Sequence, residues 1–189
     1  MIVTKTNLPD VLLFEPKVFG DDRGFFVELF HQDRYRDFGL VENFVQDNLS
    51  YSRKGVLRGL HFQNPNSQGK LVTVLEGSVF DVAVDIRNGS PTYGKSAWFM
   101  LEGKSKKQAY IPPGFAHGFV VTSETALFSY KCTDVYHPES EATVLWNDPD
   151  LKIDWPIEAI GEPSLSDKDR KGIRLRDIPK DRLPIYRGR

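Results

Sequence analysis

Cysteine is almost absent from this 189-residue chain: Cys132 is the only one, so no disulfide can close within it. Long apolar runs are absent too. The longest stretch without a charge, Gln108 to Ser123, carries Pro112, Pro113 and His117, and it is too short and too broken to span a membrane as a helix. Neither sign of charge dominates. Lys and Arg total 25 against 26 Asp and Glu, a net charge of -1, which argues against a generally basic nucleic-acid binder. The opening Met1 to Thr6 lacks the basic-then-apolar pattern of a secretion signal. Repeats and low-complexity segments are missing, and helical periodicity is scarce. These absences lead us to expect a soluble, cytoplasmic protein with no nucleic-acid partner and no membrane partner.

Aromatic residues are plentiful. With 13 Phe, 7 Tyr and 3 Trp, and 40% hydrophobic content, the chain can bury a sizeable core. Gly, Pro, Asn and Asp punctuate it at short intervals, with β-branched and aromatic runs between, the rhythm of an all-β sandwich or barrel. Strands are expected over Val11 to Phe14, Phe25 to Leu29, Phe44 to Ser50, Leu71 to Leu75, Val79 to Ile86, Ala97 to Leu101, Gln108 to Ile111, Gly118 to Val121, Leu127 to Lys131 and Thr143 to Trp146. Short helices are expected over His31 to Phe38 and Ser166 to Lys171. No linker divides the chain, so residues 1–189 read as one domain with an ordered, polar tail from about Ile173.

Period two sorts Phe80, Val82, Val84 and Ile86 onto one face of their strand, and Asp81, Ala83, Asp85 and Arg87 onto the other. The second face is either solvated or turned into a barrel mouth that holds a ligand.

Of the four histidines, His31 and His137 lie in polar, loop-like contexts that read as surface. His61 and His117 lie in apolar surroundings, where a core role and a site role both fit. Gly55 with five residues before His61, and Pro112-Pro113-Gly114-Phe115-Ala116-His117, resemble the two motifs of a cupin barrel. A metal-binding cupin carries a second His two positions after the first and an acidic residue soon after. Here that second position is Gln63, and the next acidic residue is Glu76. A transition-metal site normally needs three or four ligands, so we expect no bound metal. A metal-free imidazole is available for proton transfer near neutral pH.

Several longer runs are more specific: Gly20 to Glu28, Phe44-Val45-Gln46-Asp47-Asn48, Val56 to Gln63, Gln68-Gly69-Lys70-Leu71-Val72, Phe80 to Arg87, Ile111 to Phe119, Tyr130-Lys131, Trp146-Asn147-Asp148-Pro149 and Leu165 to Asp169. In order, from about Lys5 to Asp169, they resemble the dTDP-4-dehydrorhamnose 3,5-epimerase family. The resemblance implies a cupin-type jelly roll, a homodimer in which N-terminal strands reach the partner, and cofactor-free epimerisation at carbons 3 and 5 of a dTDP-4-keto-6-deoxysugar on the way to activated L-rhamnose.

By position, the resemblance makes His61 the base and Asp169 its paired carboxylate, although Ser166 three residues earlier makes Asp169 a helix-capping residue on local sequence alone. Tyr130 matches the acid on the opposite face of the sugar, and Lys70 the cation near the developing enolate. Arg23, Glu28, Gln46, Asp47, Asn48, Arg58, His117, Tyr136, Glu141 and Lys168 fall at nucleotide-sugar contacts, with the guanidinium forks of Arg23 and Arg58 suited to pyrophosphate. Cys132 after Tyr130-Lys131 reads as packing, and the basic segment Ile173 to Arg189 has no assigned role.

Arg58 and His61 are three apart, so a regular strand sends them to opposite faces. Placing both in one pocket requires a bulge at Gly59 or a bend after Leu60. The alternatives to the double epimerase are a relative that inverts one carbon, a silent cupin that only binds a sugar nucleotide, and a metal-dependent oxygenase on the same barrel.

Overall fold

Alternating apolar and polar residues, cut by turn formers, give a chain of short strands with very little helix. The computed structural model describes residues 1–188. The strands are β1 (Ile2–Lys5), β2 (Leu12–Glu15), β3 (Val18–Asp21), β4 (Gly24–Val27), β5 (Gln46–Arg53), β6 (Leu57–Gln63), β7 (Lys70–Glu76), β8 (Ser78–Asp85), β9 (Ser96–Glu102), β10 (Gln108–Ile111), β11 (Phe115–Val121), β12 (Thr125–Cys132) and β13 (Glu141–Thr143). Three short helices, α1 (Gln32–Arg36), α2 (Ile157–Ile160) and α3 (Asp167–Arg170), lie outside them.

One sheet has six strands in the order β1-β2-β10-β7-β12-β5, and the other has five in the order β13-β6-β11-β8-β9. Neighbours within each sheet are antiparallel. The sheets pack face to face. Val72, Val74 and Phe128 of the first meet Val79, Ala83 and Phe119 of the second in one buried cluster. This is the expected all-β, cupin-type jelly roll. Among the described residues no helix is long and apolar enough to cross a membrane.

The alternation on β8 has an outcome that neither sequence reading covered in full. Both faces are buried. Asp81 and Asp85 are fully buried on the inner side. Phe80, Val82 and Val84 on the outer side are roofed by Trp155, Leu175, Ile178 and Leu183. The segment expected as a polar tail therefore carries apolar anchors among its charges. Each buried anchor contributes roughly 1.5–3 kcal/mol.

Strand ends differ from the sequence expectation at several points. β4 stops at Val27, short of Leu29, and pairs only with β3 in a separate hairpin. β5 begins at Gln46, and β11 begins at Phe115 rather than Gly118. The strand expected over Thr143 to Trp146 is instead Glu141–Thr143; past it Val144 exchanges backbone hydrogen bonds with Leu60 and bridges to Ile173, and the Trp146 carbonyl accepts from Trp155 Nε1. β1 and β3 went unread because they are short, exposed edges without a clear apolar face.

Candidate active site

A cleft of about 360 Å³ opens between the two sheets. Strand alternation decides which side chains enter it. On β5, Gln46 and Asn48 point in, while Asp47 between them points out and pairs with Lys131, its cross-strand neighbour, at 2.7 Å. On β12, Tyr130 shares the inward face with Phe128, and on β7 the first residue, Lys70, faces in. The second sheet contributes Arg58 and His61 from β6, His117 from β11 and Glu141 from β13. Tyr136, from the loop after β12, and Lys168, from α3, close the rim.

Arg58 and His61 share the cleft because β6 is not regular. His61 is opposite His117 and Phe119 is opposite Arg58, so Gly59 and Leu60 together face the single residue Gly118. That is a β-bulge at the position the spacing required. Gly59 has φ 122°, and a Cβ there would lie 2.5 Å from the Gly118 Cα and 2.7 Å from the His117 carbonyl oxygen. Only glycine fits this crossing.

His61 Nε2 lies 2.6 Å from Asp169 Oδ1. Asp169 also accepts from the Gly59 amide at 3.2 Å and from Ser166 Oγ at 2.6 Å. Ser166 Oγ in turn accepts from the Asp169 amide and caps α3. The capping and pairing readings of Asp169 are thus both realised by one side chain. Burial works against the charge of Asp169, but the bonds from His61 and Ser166 outweigh it and hold its pKa at about 2. An ionised carboxylate only accepts, so the neutral imidazole carries its proton on Nε2 and leaves Nδ1 basic. Burial lowers the His61 pKa, against the opposing pull of Asp169, which keeps the ring neutral near pH 7.

Burial also lowers the pKa of Lys70 and raises that of the Tyr130 phenol, which stays protonated over the ordinary pH range. At the rim, Lys168 Nζ donates to Glu141 at 2.8 Å, and the Tyr136 hydroxyl donates to the other oxygen at 2.9 Å. Burial opposes ionisation of Glu141, yet these two bonds keep its pKa below the ordinary value. His117 Nε2 sits 3.0 Å from the fully buried Asp81. The polar face of β8 therefore supports the cleft wall rather than meeting solvent.

Three expected site residues stand outside the cleft within this chain. Arg23 sits on the β3–β4 hairpin, largely exposed and paired with Asp21 at 2.6 Å. Glu28 follows the hairpin and pairs with Arg34 at 2.7 Å. Asp47 is the third: its carboxylate lies on the far face of β5 from this chain's own cleft, beside Lys131. Sequence reading also missed contributors. Ser50, Gln68 and Phe119 line the cleft. Buried Ser52 accepts from Arg58 Nη2 at 3.1 Å and steadies the guanidinium. Ser52 is two residues beyond Ser50 on β5, and that spacing was the available signal. A larger hollow of about 730 Å³ lies between the hairpin and the turns at Gly77 and Gly103, but its lining contains neither histidine nor tyrosine. Among the described residues no group of three or more His, Cys, Asp or Glu side chains is placed to hold a metal ion.

A base held by a carboxylate, an ammonium group and a phenol around one cleft can move protons to and from carbon beside a carbonyl. Comparison with known proteins agrees with this chemistry. Residues 5–177 match the family model described as dTDP-4-dehydrorhamnose 3,5-epimerase. The chain is 54% identical over 178 residues to the dTDP-4-dehydrorhamnose 3,5-epimerase of Pseudomonas aeruginosa, covering 94% of this chain and 97% of that one. It is 53% identical over 185 residues to the enzyme of the same name from Escherichia coli strain K12, covering 97% and 99%. The crystal structure of dTDP-6-deoxy-D-glucose-3,5-epimerase from Legionella pneumophila Philadelphia 1, in complex with dTDP-4-keto-L-rhamnose, superposes with a TM-score of 0.96 at 51% identity over 99% of both chains. The chain belongs to the dTDP-4-dehydrorhamnose 3,5-epimerase family.

Proposed function

We propose that the cleft epimerises carbons 3 and 5 of dTDP-4-dehydro-6-deoxy-D-glucose to give dTDP-4-dehydro-L-rhamnose, as an isomerase of dTDP-L-rhamnose biosynthesis. The 4-keto group already acidifies the hydrogens on both carbons, so the reaction as proposed needs no cofactor. His61 Nδ1 takes the proton from one face, with Asp169 stabilising the imidazolium that forms. Lys70 supports the negative charge on the enolate oxygen. Tyr130 returns a proton from the other face, inverting the centre. Arg58, Lys168 and His117 would hold the nucleotide-sugar phosphates and sugar, with Gln46, Asn48, Glu141 and Tyr136 lining the rest.

One observation carries this reading. His61 and Tyr130 enter one cleft from two different sheets. Facing sheets stand about 10 Å apart, room for a sugar ring between base and acid.

We further propose that the chain works as a single-domain, cytoplasmic protein and as a homodimer. Phe19, Phe25 and Phe26 of the hairpin are each more than half exposed, at 52%, 61% and 68%. Leu49 and Tyr51 make a second exposed apolar stripe along edge strand β5. Seating the hairpin on a second copy would bury these rings and carry Arg23 and Glu28 toward the partner's cleft.

The reading is tested by incubating the protein with dTDP-4-keto-6-deoxyglucose in heavy water and following both carbons by NMR. Deuterium at carbons 3 and 5 of an inverted product is expected. Label at one carbon would make the chain a single-centre epimerase, and binding without label a silent sugar-nucleotide-binding protein.

A further inference from the structure

The loop between β12 and the 3-10 turn at Pro138–Ser140 has no sheet partner, yet its backbone is held along its length. Three glutamine side chains hold it. Gln68 Nε2 donates to the Asp134 carbonyl at 2.9 Å. Gln46 Oε1 accepts from the Tyr136 amide at 2.9 Å. Gln63 takes both remaining sides: its Nε2 donates to the Val135 carbonyl at 3.3 Å, and its Oε1 accepts from the His137 amide at 3.0 Å. The same Nε2 donates to the Asn66 carbonyl at 2.8 Å, tying in the loop after β6.

Gln63 thus grips the residue before and the residue after Tyr136, the loop side chain that lines the cleft. Its amide can sit only one way round, since the nitrogen must face carbonyls and the oxygen must face an N–H. It is 4% exposed, too buried to touch substrate itself. Irregular backbone otherwise satisfied by water is free to move; here buried partners fix it.

We infer that Gln63 is a positioning residue: by clamping Val135 and His137 it holds Tyr136, and with it the Tyr136–Glu141 bond, at the substrate rim of the cleft. This rests on the epimerase reading of that cleft. Gln63 acts on binding through the loop and leaves the His61–Asp169 pair untouched.

The test uses the full chain with dTDP-4-keto-6-deoxyglucose as the probe. Gln63→Leu keeps the volume and removes the hydrogen bonds. Its KM should rise roughly three- to tenfold, the equilibrium worth of one hydrogen bond, while kcat and the acid limb of the pH profile stay near wild type. Tyr136→Ala should also raise KM, and adding Gln63→Leu to it should raise KM little further, because the two act through one contact. A wild-type KM in folded Gln63→Leu, or full additivity in the double variant, would overturn the inference. Should Gln63→Leu not fold, amide exchange in the wild-type protein decides. Slow exchange at His137 supports the clamp, and exchange as fast as in unfolded chain refutes it. Absence of turnover by the wild-type protein would instead refute the epimerase reading, so the two failures are distinguishable.

Discussion

The imidazole of His61 and the phenol of Tyr130 line one cleft from opposing sheets, His61 on β6 of the five-stranded sheet and Tyr130 on β12 of the six-stranded sheet. A sugar ring lying between the sheets would present one face to each. With His61 as the proposed base and Tyr130 as the proposed acid, that arrangement would separate proton removal from proton return, which is what inversion at carbon requires. Replacing either residue should therefore damage different halves of the reaction.

His61→Ala should abolish solvent deuterium incorporation at both carbons, with turnover down by about 10²–10⁴, the usual worth of one general base. The Asp169 carboxylate would lose its donor, but its bonds from Ser166 and Gly59 remain, so the fold should hold. Exchange at the wild-type rate in this variant would remove His61 as the base.

Tyr130→Phe should retain proton removal better than inversion. Carbon-bound hydrogen would then wash out into heavy water faster than epimer forms, because His61 can return a deuteron to the face it came from. Equal loss of washout and inversion would contradict the assignment of Tyr130 as the opposite-face acid.

The pH dependence follows from the pair. Burial sets the His61 pKa below its ordinary 6.5, so the acid limb of kcat/KM should have its midpoint below that value. Asp169 pulls in the other direction, so Asp169→Asn should shift the limb lower still, on a plateau reduced by about 10²-fold or more. Stability gives an independent check. The Asp169 pKa falls from 3.8 to about 2 on folding, so its contribution is present above 3.8 and is lost as pH falls toward 2. The stability gap between wild type and Asp169→Asn, measured by denaturant titration, should close across that window.

Gly59→Ala tests the bulge. The added methyl would meet the Gly118 Cα at 2.5 Å and the His117 carbonyl at 2.7 Å, on backbone that L side chains rarely adopt. We expect a loss of roughly 1–3 kcal/mol or more in thermal or denaturant unfolding. Unchanged stability would mean that β6 can straighten here, separating Arg58 from His61.

How far the sequence could be read divides along the range of the forces involved. The conflict at Arg58 and His61 that required an irregular Gly59 is local, and it was legible. Family motifs named Asp169, but its 2.6 Å approach to His61 joins residues 108 apart in sequence, a distance no local rule can bridge. The motif named Gln46, Asp47 and Asn48 together, whereas period two turns Gln46 and Asn48 into this chain's cleft and Asp47 out of it. The tail was read as polar because charges outnumber Leu175, Ile178 and Leu183. Those three matter only once the outer face of β8 exists to receive them. Gln63 drew attention as the place where a metal ligand was missing, and its grip on the Tyr136 loop had no sequence signal at all.

Arg23 supplies the last prediction. Within one chain it points to solvent on a hairpin studded with exposed phenylalanines, far from the role its motif implies. If each hairpin serves the partner's cleft, His61→Ala and Arg23→Ala chains should rescue one another. In a mixed dimer, the chain that keeps His61 receives Arg23 from its partner, which makes one native site, while the other site lacks both. Random assembly makes half the dimers mixed, so co-refolded chains should recover about a quarter of wild-type activity, well above either variant alone. Activity equal to the mean of the two variants would return Arg23 to its own chain or remove it from the site, and size-exclusion chromatography of the same mixture shows whether dimers formed.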